Sequence, residues 1–183
     1  VFDGYVNVKS NADKILLDVF KPGDQWFNSG DLLQDMGYRH AKFIDRIGDT
    51  FRWKGENVAT AEVEAAVDEL KCVEFCAAYG VQVPNNDGRA GMVTLVKHAE
   101  AHFDIDAVTA HLHKALPKYA VPIFIRLKQE IDFTHTHKIK KFELKQEGFN
   151  GDGVIFVMLP KSDSYTPMNE KILGEINAGV FIF

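Results

Sequence analysis

Between Thr50 and Leu70 the period of the apolar residues changes, and that change limits what the chain can become. Phe51 and Trp53 alternate with Thr50, Arg52 and Lys54, which gives a short strand with one apolar and one largely cationic face. From Thr60 onward Val63, Ala66, Val67 and Leu70 recur at the spacing of a helix, with Thr60 placed to cap it and Glu62 and Glu64 in its first turn. The polar turn Lys54-Gly55-Glu56-Asn57 lies between the two periods, and Gly48-Asp49 is a second flexible point ahead of them.

The rest of the chain continues this mixture. In "CVEFCAAYGVQV" Val73, Phe75, Ala77, Tyr79, Val81 and Val83 form one apolar face of a strand, followed by the turn "PNNDGRAG" and a strand from Met92 to Lys97. A helix is predicted from Ile105 to Leu116, with Asp104 as cap, Val108, Leu112 and Leu116 inward and Pro117 just beyond. "VPIFIRL" reads as a third strand with Ile123, Ile125 and Leu127 on one face, and Phe142 to Phe149 as a short helical turn. "VIFVML" is apolar on both faces and is expected to be covered on both, and Asn169 to Asn177 reads as a last helix. Strands and helices without strict alternation indicate an α+β module from about residue 49. Residues 1 to 45 are turn-rich, with Pro22-Gly23-Asp24, Ser29-Gly30-Asp31 and Met36-Gly37 between short apolar runs, and are expected to form hairpins or barrel strands.

Composition narrows the function classes. The 183 residues are 46% hydrophobic and 26% charged, a globular balance, and the net charge of −5 disfavours a general nucleic-acid binder. The longest apolar run, Val154 to Leu159, is far too short to cross a bilayer. The sequence starts at Val1, which raises the expectation of a fragment or processed chain. Cys72 and Cys76 are too few for a structural zinc site, and four positions along one strand would separate them by roughly 13 Å, so free thiols are expected.

Several residue groups invite a functional reading. His98 and His102, and His135 and His137, have metal-like spacings but lack further ligands nearby, so solvated loop histidines are the expectation. The alternation Phe51-Arg52-Trp53-Lys54 could stack on single-stranded bases, although a ribbon of this kind more often packs its aromatic face on a core. Asp31, just after a tight turn, offers two acceptor oxygens suited to a sugar diol; Arg46 can add a donor fork, and a lysine of "KIKK" can bring a point charge to a phosphate. Together they suit a nucleotide.

"WFNSGDLL", "FIDRIGDTFRWKGENVATAEVE" and "THTHKIKKFELKQEGF", in this order and spacing, resemble the C-terminal part of an acyl-CoA synthetase of the adenylate-forming superfamily, in the branch of the fatty acid transport proteins and very-long-chain acyl-CoA synthetases. The resemblance runs nearly end to end. It implies a small mixed-sheet lid domain with flanking helices and a hairpin over residues 48–183, preceded over residues 1–47 by the β-rich end of the large AMP-binding domain. It also implies a two-step reaction, in which a fatty acid and ATP give an acyl-adenylate and pyrophosphate, and the coenzyme A thiol then displaces AMP. In such enzymes the lid rotates between the steps.

Carried over by the resemblance, Asp31 accepts from the ribose hydroxyls and Arg46 contacts the same nucleotide. Gly48 and Asp49 form the hinge, Lys54 and Gly55 line the coenzyme A channel, and Lys138 stabilises charge between carboxylate and α-phosphate. The family often has Thr-Gly-Thr-Phe-Lys where this chain has Thr134-His135-Thr136-His137-Lys138, so the lysine keeps its register while the loop loses its glycine and its aromatic residue. Its hinge position, often Asp in the wider superfamily, is Gly48 here. A phosphate loop, adenine site, magnesium carboxylate and acyl tunnel belong upstream. This stretch alone is therefore expected to form no adenylate, and its partners are ATP, coenzyme A, a fatty acid and the missing N-terminal domain. A cytoplasmic location, peripheral association with a membrane and a coupling to fatty acid uptake complete the expectation. Two alternatives stay open: a ligase for another carboxylic acid, such as a bile or aromatic acid, and a non-catalytic lid-like binding module.

Overall fold

The structure, a computed structural model, describes residues 14–46 and 49–183, Arg46 by its backbone alone. The chain divides into two compact units, Val1–Ile47 and Gly48–Phe183.

The first unit consists, among the described residues, of two antiparallel ribbons. Strands β1 (Ile15–Leu17) and β2 (Gln25–Phe27) pair across a loop organised by Asp24, whose carboxylate accepts from the backbone N–H groups of Val19 and Phe20 at 2.7 and 3.0 Å and from the Trp26 indole at 2.8 Å. Strands β3 (Asp31–Asp35) and β4 (Ala41–Arg46) pair through a tight turn at Gly37-Tyr38-Arg39 in which all three residues have positive φ. These are hairpins, as the turn pattern predicted. Their side chains leave much apolar surface uncovered: Leu17, Phe20, Trp26, Phe27, Leu33 and Phe43 are all exposed.

The second unit is built on a five-stranded sheet in the order β11-β10-β9-β8-β7, comprising β7 (Val73–Val81), β8 (Ala90–Lys97), β9 (Phe124–Lys128), β10 (Val154–Met158) and β11 (Tyr165–Pro167). A separate ribbon of β5 (Phe51–Trp53) and β6 (Glu56–Val58) precedes it. All neighbours in the sheet run antiparallel except β8 and β9, and that parallel step needs a crossover. Helix α2 (Ile105–Ala115) supplies it, with the Asp104 carboxylate accepting from the N–H groups of Asp106 and Ala107 as the sequence predicted. Helices α1 (Thr60–Asp68), α3 (Lys141–Glu147) and α4 (Glu170–Asn177) complete the α+β domain. Val63, Val67, Tyr79, Met92, Leu112 and Phe124 lie at the centre of the core.

Three local expectations are corrected. Ala59, not Thr60, occupies the N-cap of α1, without a side-chain cap bond; Thr60 is the first helical residue and is buried. Cys72 precedes β7 rather than lying in it, and a bulge at Glu74 shifts the alternation. Phe75 is 39% exposed although it shares its face with buried Ala77 and Tyr79, and Cys76 on the other face is buried beneath α1. Val154 at the start of β10 is also exposed, so only the second half of "VIFVML" is covered on both sides. Both cysteines are free thiols.

Residues 179–183 fold back onto the domain. Asn86 donates to the Phe181 carbonyl at 3.0 Å and accepts from the Phe183 N–H at 2.8 Å, Asn85 donates to the Gly179 carbonyl at 3.2 Å, and the Phe183 ring lies 5.9 Å from that of Phe124.

Candidate functional site

In the first unit the strand register sets Asp31 directly opposite Arg46, so the two residues expected to contact a nucleotide share one rung of the β3–β4 ribbon. The turn that delivers Asp31 needs Gly30 at φ +77°. It is locked by the Gly30 N–H donating to Asn28 Oδ1 at 3.0 Å and the Asp31 N–H donating to Ser29 Oγ at 3.2 Å. A half-buried carboxylate held at the end of a rigid turn is placed to accept from vicinal hydroxyls.

In the second unit the β5–β6 ribbon ends in the two-residue turn Lys54-Gly55, with φ of +50° and +87°. Both signs are those of the type I′ hairpin turn, whose twist matches the strands it joins. Phe51 and Trp53 are buried and Arg52 is exposed, as the alternation predicted. The apolar side is seated on glycines: a Cβ on Gly80 would lie 2.6 Å from the Phe51 side chain, and one on Gly91 3.1 Å from it. The Arg52 carbonyl accepts from the Arg89 N–H at 2.7 Å, tying the ribbon to the loop before β8. Lys54 lies over the Trp53 ring at 5.6 Å and borders a cavity of about 790 Å³ whose wall includes Lys118, Tyr119, Lys161 and Phe183. A Cβ on Gly55 would meet nothing within 4 Å, so the turn has open space at that residue.

Lys138 lies in an exposed loop closed by a bridge between Phe133 and Ile139. The Thr134 N–H donates to the Lys138 carbonyl at 2.7 Å, and the Lys138 N–H donates back to Thr134 Oγ1 at 3.1 Å. The lysines of "KIKK" are sorted by their partners. Lys140 pairs with Glu143 at 3.1 Å and Lys141 with Glu64 at 2.7 Å, whereas Lys138 has no ion pair among the described residues. An unpaired ammonium at a loop tip can follow a phosphate that arrives there.

The ribbon and the Lys138 loop meet β7 at different places. Phe133 packs edge-on against Phe75, their centroids 5.1 Å apart, and Phe51 packs against Gly80. Five residues of strand separate these contacts by roughly 17 Å and set them on opposite faces. The structure brings Asp31 and Arg46 together and keeps Lys138 apart from Lys54-Gly55. Gly48 lies outside the described residues, and Asp49 stands 3.9 Å from Lys145 of α3.

Sequence reasoning missed Arg126. It alternates with apolar neighbours in β9 and is fully buried, with the Glu147 carboxylate and the Gly148 carbonyl both accepting from its guanidinium at the end of α3. A single arginine within "IFIRL" was the available signal, since a cation in a central strand must find a carboxylate. Among the described residues no group of three or more His, Cys, Asp or Glu side chains could hold a metal ion, and no helix is long and apolar enough to cross a membrane.

Comparison with known proteins fits this geometry. Residues 62–138 match the AMP-binding enzyme C-terminal domain. The chain is 41% identical over 180 residues to the medium/long-chain-fatty-acid–CoA ligase FadD6 of Mycobacterium tuberculosis (strain ATCC 25618 / H37Rv), covering 97% of this chain and 30% of that protein. It is 43% identical over 188 residues to human long-chain fatty acid transport protein 1, covering 98% and 28%. The small mixed-sheet unit thus carries the C-terminal domain of the AMP-binding enzymes. The chain belongs to the family of long-chain fatty acid–CoA ligases and fatty acid transport proteins, and spans under a third of the length of these relatives. Solved structures share the fold. The o-succinylbenzoate CoA synthetase of Bacillus subtilis, solved with its acyl-adenylate intermediate, superposes with a TM-score of 0.67 at 22% identity, covering 79% of this chain and 28% of that one. A Mycobacterium tuberculosis fatty acyl CoA synthetase gives 0.56 at 24%, covering 71% and 25%.

Proposed function

We propose that this chain supplies the mobile lid, residues 48–183, and the last part of the large domain, residues 1–47, of an AMP-forming ligase for long- or very-long-chain fatty acids. The observation that carries the reading is the nearly end-to-end likeness of this chain to a fatty acid–CoA ligase, over 97% of its residues. In the first step a fatty acid carboxylate oxygen attacks the α-phosphorus of ATP, the bond to the β-phosphate oxygen breaks, and pyrophosphate leaves. In the second the coenzyme A sulfur attacks the acyl carbon, its proton is lost, and AMP departs.

Asp31 and Arg46 hold the nucleotide through both steps, a reading supported by their shared rung. Lys138 acts in the first step only, on charge developing between carboxylate and α-phosphate, and its freedom from other ion pairs supports this. Lys54 and Gly55 act in the second, where the missing side chain at Gly55 lets pantetheine pass. The separation of Lys138 from the ribbon along β7 suits a lid that offers a different face to each step, with Gly48-Asp49 as its pivot. The apolar surface of the first unit suits strands that continue into a larger domain. Magnesium and the acyl chain are assigned to the remainder of the enzyme, and coupling to fatty acid uptake at a membrane follows from the same family reading.

The test separates the half-reactions in the full-length enzyme. Lys138→Ala is expected to slow adenylation, read by pyrophosphate–ATP exchange, by about 10²-fold or more, and to leave thioester formation from supplied acyl-adenylate nearly normal. Equal loss in both would assign Lys138 a structural role.

A further inference from the structure

The loop that carries Lys138 is exposed, yet its base is fastened. Ile139 bridges to Phe133, the Lys140 N–H donates to the Asp132 carbonyl at 3.0 Å, and Lys141 opens α3. Lys141 is where the loop meets the rest of the domain. Its ammonium lies 2.7 Å from Glu64 Oε1 and donates to Thr60 Oγ1 at 3.4 Å, both on α1. The same Glu64 oxygen accepts from the Ala78 N–H at 2.7 Å, on the edge of β7 that no strand covers among the described residues. One carboxylate thus joins three elements: α1, the outer edge of β7 and the start of α3. Its side chain is 22% exposed and that of Lys141 25%, so the pair is only weakly screened by solvent.

We infer that Glu64 is a positioning residue for Lys138. By holding Lys141 it fixes the start of α3 and the base of the loop three residues upstream, and so sets where the Lys138 ammonium stands. It has a second effect on the same step. With Lys141 paired to Glu64 and Lys140 to Glu143, Lys138 is the lysine of this run left without an ion pair among the described residues to meet an arriving phosphate. Without Glu64, Lys141 would be a second free cation close by, and the loop base would lose its anchor. The inference rests on the proposed role of Lys138 in adenylation.

Glu64→Gln in the full-length enzyme removes the charge and keeps an oxygen for the Ala78 N–H. We expect kcat for adenylation to fall between about tenfold and about a hundredfold, the order of a misplaced reacting group. KM for ATP should change little, and thioester formation from supplied acyl-adenylate should stay near normal. Lys141→Met should reproduce this split, and Lys141→Arg should restore most of the rate. The Glu64→Gln/Lys141→Met double variant should be no slower than the worse single one, because both remove the same contact. Unchanged adenylation, equal loss in the two half-reactions, or additive losses in the double variant would overturn the inference. So would failure of both single variants to fold, which would make the pair structural. Lys138→Ala run in parallel keeps the two ideas apart. If it spares adenylation, the parent reading fails and this inference falls with it. If it abolishes adenylation while Glu64→Gln does not, the parent reading stands and Glu64 is no positioning residue.

Discussion

Cys76 shows how burial silences a nucleophile. Its sulfur is packed beneath α1, 3.1 Å from Asp68 Oδ1, and burial, reinforced by the hydrogen bond and charge of Asp68, pushes its pKa up. The folded protein therefore resists ionising this thiol more than the unfolded chain does. The stabilisation is complete below the unfolded thiol value of about 8.5 and is lost as pH rises beyond it. Urea melts should show stability falling above that pH, and Cys76→Ala should flatten the fall. In the native protein iodoacetamide should label the half-exposed Cys72 and spare Cys76 until denaturant is added. The Lys138 loop teaches a second lesson at this scale. His135 stands where relatives by resemblance carry glycine, but the left-handed residue is His137, at φ +55°. The lost glycine is thus not a position that demands positive φ, which explains how the loop closes without it.

Among the elements, the β5–β6 ribbon separates fold from function through two glycines, Gly55 in its own turn and Gly88 in the loop that bridges to Trp53. Gly88 has φ +82°, and a Cβ there would collide with the Arg52 carbonyl. Gly88→Ala should therefore destabilise the domain by about 2–5 kcal/mol, combining left-handed strain with a backbone clash, and thermal melts would show it. Gly55→Ala meets open space and should cost only about 1–2 kcal/mol from its φ, while slowing thioester formation more than adenylation. A melt as damaged as that of Gly88→Ala would assign Gly55 to the fold instead. This ribbon was legible in the sequence because a period of two with aromatic residues on one side leaves few alternatives, and α2 was legible through Asp104 and Pro117. The face of β7 carrying Ala77, Tyr79 and Val81 was legible too, but the burial of Cys76 and Ala78 on its other face was not, because nothing in the local pattern announces that α1 covers it. The clustering of Glu64, Lys141 and Ala78 was equally hidden, since it joins residues far apart in sequence. Asp31, Arg46, Gly55 and Lys138 were named by resemblance; only their physical suitability could be argued from residue type.

At the scale of the whole molecule, the proposed motion concentrates on residue 48, which lies outside the described residues. Glycine changes backbone angles at little steric cost, whereas proline holds φ near −65°. Gly48→Pro in the full-length enzyme should trap one lid position, so that adenylation survives and thioester formation fails. Each half-reaction measured separately, with a melt to verify folding, checks this, and normal rates in both would place the pivot elsewhere. The tail has a consequence of another kind. Sheet order follows chain order from β7 to β11, so a growing polypeptide can lay each strand beside the one just made. The bonds from Asn85 and Asn86 to residues 179–183 cannot form until those residues, nearly a hundred positions later, have been synthesised. During translation the domain therefore passes through a state with its sheet assembled and its last seam open, and a partner that captures nascent chains would meet the apolar surface that Phe181 and Phe183 later cover.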